Sequence, residues 1–443
     1  MTVPAQVIPL SVDALRLTGD RRPPTPKTVE DTGLDPKFLI DLLIKTVYRL
    51  GLERPSEISD EIKLPLGVVG HLIEEAQTQK LMQTLGQLGA SMTAEMRYAL
   101  TSKGREWALE ALAQNEWVGP APVSLDAFKR QLENQSIQNE TLTRAQLEAA
   151  FSKLTLPCNL MDKMGPAVNS GASVLLYGPP GNGKSSIAEA VCAAFEGQAY
   201  FPHAVVVDKQ IIKVFDMTVH NPVDQSDGAK SALRAGTEYD QRYVACRRPA
   251  VITGGELTLG RLDLAYNTVS RVYEAPMRLK AAGGVLVVDD FGRQRQSPQE
   301  LINRLIIPLD NRIDYLSLQT GRKFQVPFDS LVMFSTNIPP KQLVDEAALR
   351  RLRHKILVDK PNQDTYFEIF ARAAWSFGLA LDEETKAFIL TELYAKEPGA
   401  EFHGFQPRFL LDQVRSICIF EGAPLSLEPR YLRRAWENLF IRE

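Results

Sequence analysis

The sequence has no long hydrophobic run. A helix that crosses a bilayer needs about 20 consecutive apolar residues, and no apolar run in the 443 residues is long enough for that. We therefore predict no insertion into a membrane. The first residues, Met1 to Pro26, also lack the apolar core of a secretory signal peptide. They are rich in proline, and we expect residues 1–32 to form a disordered tail.

The sequence also has few cysteines and a small net charge. The cysteines are too scattered for a zinc site or a disulfide framework, which favours a reducing, cytoplasmic location. They are Cys158, Cys192, Cys246 and Cys418. A formal net charge of −3 gives no overall attraction for a polyanion. The apolar fraction of 44% and the charged fraction of 24% are typical of a globular protein, and the length allows two or three domains.

One glycine-rich stretch, Gly178 to Ser186, is the strongest local signal in the chain. It follows an apolar run, Val174 to Tyr177, that predicts a buried strand, and it leads into a helical pattern that ends at Phe195. Strand, glycine-rich loop and helix form the context that the phosphate-binding pattern G-x-x-x-x-G-K-[ST] requires. The predicted nucleotide-binding residues are Gly178, Pro179, Pro180, Gly181, Asn182, Gly183, Lys184, Ser185 and Ser186.

Each residue type in this stretch suits a phosphate group. Glycines let backbone N–H groups turn inward around phosphate oxygens. The helix that follows offers its free N–H groups and its positive dipole end to the same anion. We predict that Lys184 reaches the β- and γ-phosphates and that the Ser185 hydroxyl ligates Mg²⁺.

Two apolar runs further along the chain end in polar residues. The first, Gly284 to Phe291, ends with Asp289 and Asp290, and the second contains Asn337. In phosphate-loop NTPases the first acid of such a strand holds Mg²⁺, so Asp289 is the candidate metal ligand. Asp290 is the candidate that orients or deprotonates the attacking water. Asn337 is a candidate to hydrogen-bond that water or the γ-phosphate.

Taken in this order, the signals resemble the AAA+ ATPase family over about Thr143 to Glu443. Gly178 to Ser185 resembles its Walker A motif, and Asp289 with Asp290 resembles its Walker B motif. The remaining matches are Asn337 to sensor 1, Arg350 and Arg351 to the arginine-finger region, and Arg408 to sensor 2. In this family the finger acts in the neighbouring subunit, and Arg351 is the preferred of the two arginines. The resemblance implies ATP and Mg²⁺ as ligands and an α/β fold, in which a P-loop NTPase parallel sheet carries a C-terminal helical lid.

Two features depart from the family pattern. Asp290 stands where most members have glutamate, so we expect slow or partner-stimulated hydrolysis rather than none. About 100 residues separate Ser185 from Asp289, and we expect Val205 to Thr258 to form an insertion. We also expect a helix from Leu262 to Leu279. Between the Walker motifs the sequence has no clear aromatic pore-loop tripeptide, so protein threading has no support.

The N-terminal part of the chain resembles a winged-helix domain, with three helical patterns, two strand-like runs and a closing helix. The runs are Leu81 to Leu85 and Met96 to Leu100, with a hairpin tip at Gly86, Gly89 and Ser91. The third helix carries Glu74 and Glu75, whereas a helix that reads DNA needs positive charge. We therefore favour protein docking over DNA binding. The DNA alternative stays open because of Arg97, Lys103 and Arg105.

The sequence thus predicts a tail (1–32), a winged-helix-like domain (33–118), a linker (119–141), an AAA+ core (142–360) and a helical lid (361–443). We expect an ATP-hydrolysing homo-oligomer, a hexameric ring by the family resemblance. It would remodel or assemble an unidentified protein partner, substrate or adaptor, that the N-terminal domain recruits. The alternative is an ATP-switched DNA-binding regulator or loader. A scaffold that binds nucleotide but hardly hydrolyses it is the third possibility.

Overall fold

The computed structural model describes residues 21–87, 95–156, 158–223 and 239–439. The helices are α1 (Pro36–Leu50), α2 (Pro55–Ile62), α3 (Leu66–Thr78), α4 (Ser102–Gln114), α5 (Leu125–Asn134), α6 (Arg144–Ala150), α7 (Cys158–Asn169), α8 (Lys184–Ala194), α9 (Met277–Lys280), α10 (Pro298–Asn311), α11 (Pro340–Leu343), α12 (Glu346–Arg351), α13 (Gln363–Ser376), α14 (Glu383–Phe388), α15 (Gln406–Glu421) and α16 (Pro429–Glu437). Within these described ranges, no helix has both the length and the apolar character needed to cross a membrane.

The strands run from the N-terminal domain to the end of the central sheet. They are β1 (Met82–Gln87), β2 (Met96–Leu100), β3 (Val123–Ser124), β4 (Val174–Tyr177), β5 (Gln198–Pro202), β6 (Ala204–Val207), β7 (Gln210–Lys213), β8 (Tyr243–Arg247), β9 (Ala250–Thr253), β10 (Ala265–Asn267), β11 (Val272–Glu274), β12 (Gly284–Val288), β13 (Ile313–Ser317), β14 (Lys323–Pro327), β15 (Ser330–Thr336) and β16 (His354–Leu357).

A five-stranded parallel sheet forms the central layer, in the order β16-β4-β15-β12-β9. Every residue of β12 and β15 is buried, as expected for strands that are covered on both faces. Helices α6, α7 and α8 pack on one face, and α10 and α12 pack on the other. This arrangement confirms the predicted α/β fold with a parallel sheet.

The C-terminal helices form a separate packed unit, which we call the lid. Helices α13, α15 and α16 enclose the rings of Tyr366, Phe370 and Tyr431, all of which have no exposed surface. Between α14 and α15 the chain makes a π-helical turn at Ile389–Tyr394. The predicted helical region after the sheet is therefore present.

The N-terminal helices and the two strand-like runs form the elements predicted for them. Helix α1 is capped by the Asp35 side chain, and α4 is capped by Thr101. Strands β1 and β2 pair antiparallel, with Met82 opposite Leu100. Of the predicted hairpin tip, Gly86 lies within β1, whereas Gly89 and Ser91 lie outside the described residues. The winged-helix assignment itself stays a prediction.

The region between Ser185 and Asp289 forms a second sheet in the order β10-β11-β7-β6-β3. The predicted strand-like pieces at Val205–Val207 and Ile211–Ile212 lie in β6 and β7. The expected helix from Leu262 to Leu279 is wrong, because this segment forms β10, β11 and only the start of the short helix α9. The Asn267 side chain accepts hydrogen bonds from the Val269 and Ser270 N–H groups at 3.0 and 3.1 Å, which turns the chain back into a hairpin.

The segment 119–141 is not the linker that we expect from its polar composition. Its strand β3 pairs in parallel with β6 and becomes the edge of the second sheet. Helix α5 then buries Phe128 and Leu132 in the core of that sheet. Gln131 is buried beside them, whereas the charged residues Asp126, Arg130 and Glu133 of α5 are exposed, so the polar composition conceals one buried face.

The predicted tail is also partly ordered. Residues 1–20 lie outside the described residues, but residues 21–32 contact α5 and the segment before β8. Arg21 forms an ion pair with Glu140, and the Pro23 carbonyl accepts a hydrogen bond of 2.9 Å from the Asp240 N–H group. Thr32 is 1% exposed. The expectation of a disordered tail is therefore wrong for residues 21–32.

A buried ion pair in the segment before β8 contacts both these N-terminal residues and Pro122, which precedes β3. Arg242 and Asp240 are 3% and 2% exposed, and their charged groups lie 2.7 Å apart. The Arg242 guanidinium also donates to the carbonyls of Thr32 at 3.1 Å and Pro122 at 3.3 Å. Burial of this charge is acceptable because its donors have partners.

We predict that Arg242→Leu lowers the free energy of unfolding by about 3–5 kcal/mol, because it leaves the Asp240 carboxylate buried without its partner. Arg322→Leu is the matched control. Arg322 lies 3.6 Å from Asp208 with both side chains about half exposed, so its loss is expected to cost about 0–1 kcal/mol. Urea denaturation of both variants measures the difference. Equal losses would contradict the structural role of the buried pair.

Candidate functional site

The candidate site lies at the carboxyl edge of the central sheet, where β4 ends. Strand β4 lies between β15 and β16. The chain leaves β4 through α8 on one face of the sheet, whereas it connects β15 to β16 through α12 on the other face. Ligands of open α/β sheets bind at such a point, where the connections diverge. The loop from Gly178 to Gly183 starts there, as the strand–loop–helix pattern predicts.

Glycine is required at two positions of this loop for different reasons. Gly178 has a φ of +143°, and a Cβ atom there would lie 2.2 Å from the Val358 carbonyl oxygen. Gly181 has a φ of +75°, and a Cβ atom there would lie 2.4 Å from the Phe405 ring. The loop is therefore held tightly between the end of β16 and the Phe405 ring of the lid.

Lys184 begins α8 beneath the loop and is 6% exposed. Its ammonium group donates hydrogen bonds to the carbonyls of Gly178 at 3.0 Å and Pro179 at 2.8 Å. Burial lowers the pKa of Lys184, and the nearby carboxylates of Asp290 and Asp289 oppose that shift. The loop thus surrounds a cation that its own backbone holds in place.

Asp289 and Ser185 meet at the end of β12. The Ser185 hydroxyl lies 2.9 Å and 2.7 Å from the two carboxylate oxygens of Asp289. The Ser335 hydroxyl, from β15, donates a further hydrogen bond to Asp289 Oδ1. The two predicted metal ligands are therefore adjacent, together with a serine that sequence reasoning missed.

Asp290 and Asn337 also lie at this edge of the sheet. The Asn337 amide Nδ2 lies 3.4 Å from Asp290 Oδ1. Asp290 has a φ of +47°, a left-handed conformation that is uncommon for a residue other than glycine. The Gln294 amide supports the turn by donating to the carbonyls of Asp289 at 3.1 Å and Asp290 at 3.3 Å. Backbone strain that neighbouring groups hold in place is frequent at functional sites.

The lid covers the loop from above. The Gly404 N–H group donates a 3.0 Å hydrogen bond to Asn182 Oδ1, and the Phe405 ring packs on Gly181. Arg408 faces the space beside them, where it lies 3.3 Å from Asp412 and over the Phe377 ring at 4.9 Å. The predicted sensor 2 residue is therefore brought to the same site as the loop.

Loop, sheet edge and lid enclose a cavity of about 800 Å³, within the size range of small-molecule sites. Most of the predicted residues line it, namely Gly181, Asn182, Gly183, Lys184, Ser185, Ser186, Asp289, Asp290, Asn337 and Arg408. The other three predicted loop residues, Gly178, Pro179 and Pro180, do not line the cavity. The carbonyls of Gly178 and Pro179 accept hydrogen bonds from Lys184.

Several lining residues were missed by the sequence reasoning. They are Lys153 and Thr155 after α6, Arg372 on α13, and Phe405 beside the predicted arginine of the lid. Arg372 donates hydrogen bonds to the carbonyls of Ser152 at 2.9 Å and Leu154 at 3.4 Å. No local motif marks these residues. Only Phe405 had a signal, because it lies three residues before the predicted sensor 2 residue Arg408.

Arg350 and Arg351 do not belong to this cavity. They lie at the end of α12, outside the residues that line it. The Arg351 guanidinium is occupied by Asp310 at 3.3 Å and by the Ala347 carbonyl at 2.5 Å. Arg350 is exposed, and no described residue forms a hydrogen bond or an ion pair with its side chain. The structure therefore brings together every predicted class of site residue except the arginine pair.

We predict that Gly181→Ala loosens the lid. Its methyl group must displace the Phe405 ring, which we expect to cost about 1–3 kcal/mol beyond the backbone strain. Gly183→Ala is the control, because Gly183 has a similar φ of +82° but no atom within 4 Å of the added Cβ. In urea denaturation, Phe405→Ala should restore stability to the Gly181 variant and not to the Gly183 variant. The same response in both would exclude the clash.

Comparison with known protein families gives two matches. A family model described as an AAA domain (dynein-related subfamily) matches residues 173–352. This range contains strands β4, β9, β12 and β15 of the central sheet and ends two residues before β16. A domain of unknown function (DUF8689) matches residues 362–438, which correspond to the lid. The comparison with curated proteins gives no match.

Solved structures with a related arrangement include NtrX from Brucella abortus, with a TM-score of 0.38 and 14% identity over 71% of this chain. The chain spans 59% of the NtrX chain. Two variants of RuvB from Thermotoga maritima align with TM-scores of 0.35 and 0.37, both at 14% identity. They cover 69% and 63% of this chain, and 73% and 69% of their own chains.

These structural alignments are too distant to carry the assignment, which depends on the family match. That match begins one residue before β4, ends just before β16, and includes the phosphate loop and the acids of β12. It confirms the resemblance that the motifs indicate. Residues 173–352 therefore form an AAA-type domain of this chain.

Proposed function

We propose that the chain binds ATP with Mg²⁺ in the cavity between the loop and the lid, and hydrolyses it. One observation carries the proposal. A buried ammonium, a serine–aspartate pair and an aspartate–asparagine pair converge on a single cavity beside the glycine-rich loop. A phosphate chain needs this combination of inward N–H groups, one cation and oxygen ligands.

The residues that would contact the phosphates are held in place before any ligand arrives. The Lys184 ammonium is fixed by two loop carbonyls and not by a carboxylate, so its charge remains available to an anion. Burial also lowers the pKa of Lys184, because the buried ammonium is less well solvated than it would be in water. An anionic ligand would supply the missing stabilisation.

The serine–aspartate pair fits a magnesium ion. Mg²⁺ in nucleotide sites takes oxygen ligands and keeps several waters, so one hydroxyl and one carboxylate are sufficient from the protein. Ser185 and Asp289 present those oxygens at the edge of the cavity. When bound, the ion would neutralise charge on the phosphate oxygens.

Asp290 and Asn337 are suited to the attacking water. The Asp290 carboxylate accepts from the Asn337 amide on one side, which orients it and leaves its other oxygen for a water proton. The left-handed backbone at Asp290 directs this shorter acid away from the strand. We propose that Asp290 receives the proton and that Asn337 holds the carboxylate.

Two substitutions separate binding from turnover. We expect Lys184→Ala to weaken ATP binding at least about tenfold, because it removes a charged partner of the phosphates. Asp290→Asn should keep ATP affinity but reduce turnover about 10²–10⁴-fold, since it removes the proton acceptor. Isothermal titration and steady-state phosphate release measure the two effects. Lys213→Ala, an exposed lysine on β7 far from the cavity, should change neither. Normal affinity and turnover in Lys184→Ala would contradict the proposal.

A ring oligomer, a hexamer by family resemblance, is the second part of the proposal. The cavity contains no arginine from α12, so a finger would have to come from a neighbouring subunit. Of the two candidates, Arg350 is exposed, whereas Arg351 is tied to Asp310 and Ala347 within its own subunit. The structural contacts therefore favour Arg350, although the sequence favours Arg351.

We predict that Arg350→Ala lowers turnover by about 10³-fold or more with ATP affinity retained. Arg351→Ala should have a smaller effect, because its guanidinium already has partners. Mixing Arg350→Ala with Asp290→Asn subunits should recover activity, since some interfaces then join an intact site to an intact arginine. Phosphate release is measured against total protein concentration. Full activity in a monomer, or no recovery on mixing, would exclude the shared site.

The N-terminal domain is the proposed attachment point for a protein partner that the ATPase remodels or assembles. Glu74 and Glu75 are exposed on α3, as protein docking requires. Two of the three basic residues that favour the DNA alternative already have partners. Arg97 lies 3.2 Å from Glu53, and Lys103 donates to the Gln79 carbonyl at 2.9 Å. These contacts favour a protein partner over DNA.

A further inference from the structure

Asp289 is held from two sides by hydroxyl groups that belong to different elements. Strands β12 and β15 run parallel, with Val288 opposite Phe334, so the next residues along each strand, Asp289 and Ser335, face each other. Ser185 approaches the carboxylate from the start of α8. Ser335 contacts its Oδ1 atom from β15.

The two serines differ in what else they can do. Ser185 lies in the phosphate loop motif, and we propose above that its hydroxyl oxygen ligates the metal. Ser335 is 2% exposed, and its hydroxyl hydrogen bond goes to Asp289. No lysine or arginine of the described ranges forms an ion pair with Asp289. The orientation of this carboxylate therefore depends on hydroxyl donors, and Ser335 is the one that serves no other group.

A second serine on the same strand shows what a purely structural hydroxyl looks like. Ser330 is fully buried at the opposite end of β15, and its hydroxyl donates a 3.0 Å hydrogen bond to the Ala281 carbonyl. It lies outside the cavity, whereas Ser335 lines it. The two serines thus share residue type, strand and burial but differ in their acceptor, which is a carbonyl for one and the carboxylate for the other.

We infer that Ser335 is a positioning residue that fixes the Asp289 carboxylate in the orientation needed to hold a divalent cation at the nucleotide site. The inference rests on the proposed function. A carboxylate with only one hydroxyl partner can rotate about its χ2 angle, which is a soft torsion. The second hydroxyl removes that freedom, so the oxygen that faces the cavity stays there. Hydrogen-bond partners of ligating carboxylates typically change metal affinity about 10–100-fold when they are removed.

The experiment compares Ser335→Ala with Ser330→Ala in the full chain. Binding of a fluorescent ATP analogue is titrated at a series of Mg²⁺ concentrations and again in excess EDTA. We expect Ser335→Ala to raise the Mg²⁺ concentration for half-maximal enhancement of binding at least about tenfold. Its affinity in EDTA should be unchanged, and Ser330→Ala should behave as the unmodified chain. The midpoint temperature of thermal unfolding should fall by a similar amount in both variants, since each loses one buried hydrogen bond.

A further variant keeps the test decisive if Ser335→Ala folds poorly. Ser335→Cys keeps the shape of the side chain, although it is slightly larger, but supplies only a weak donor, so it should show the same shift in Mg²⁺ requirement. The inference is overturned if neither Ser335 variant shifts the Mg²⁺ requirement, or if Ser330→Ala shifts it equally. If the unmodified chain binds the analogue neither with nor without Mg²⁺, the proposed function fails and this inference falls with it.

Discussion

The site depends on the parallel register of three central strands. Backbone hydrogen bonds between β12 and β15, and between β15 and β4, set which residues lie opposite each other. A shift by one residue would turn every side chain of a strand to the other face of the sheet. The polar residues that follow β12 and β15 can therefore meet at one edge only because the apolar residues before them are fixed in the core. The same strand register therefore fixes both the packing of the core and the positions of the site residues.

The second sheet connects the N-terminal domain to the central sheet through direct contacts, where a linker was expected. The segment expected to be a linker supplies β3 and α5 to that sheet, and the Glu116 N–H group bonds the Ser270 carbonyl at 2.9 Å. The buried Arg242 joins residues from the N-terminal part, the supposed linker and the insertion. The second sheet and the segment before β8 are thus the parts of the chain that the N-terminal domain contacts. A partner bound to that domain would contact a body continuous with the core rather than one on a flexible tether.

The lid contributes to the cavity through a small contact with the loop. The Gly404 N–H group donates a hydrogen bond to the Asn182 side chain, and the Phe405 ring packs on Gly181. On the other side, Arg372 donates hydrogen bonds to carbonyls of the core. Such contacts are few and partly exposed, so they can open without loss of either core. The lid cluster around Tyr366 and the clusters of the central sheet are separate. This separation suits a unit that moves as a rigid body over the site.

The sequence by itself determined the phosphate loop and the acids after β12, because each depends on residues close together in the chain. The parallel sheet and the helical lid were expected only through the family resemblance that these motifs carry. The glycines of the loop and the apolar run before Asp289 are local signals that need no knowledge of their neighbours. The tertiary structure alone decided which groups face those residues. Ser335 meets Asp289 through strand pairing, and Phe405 meets Gly181 across more than 200 positions. Composition also misled in α5, where one buried face was hidden among polar residues. Long-range packing decides the structure of such segments, and a short stretch of sequence carries no information about that packing.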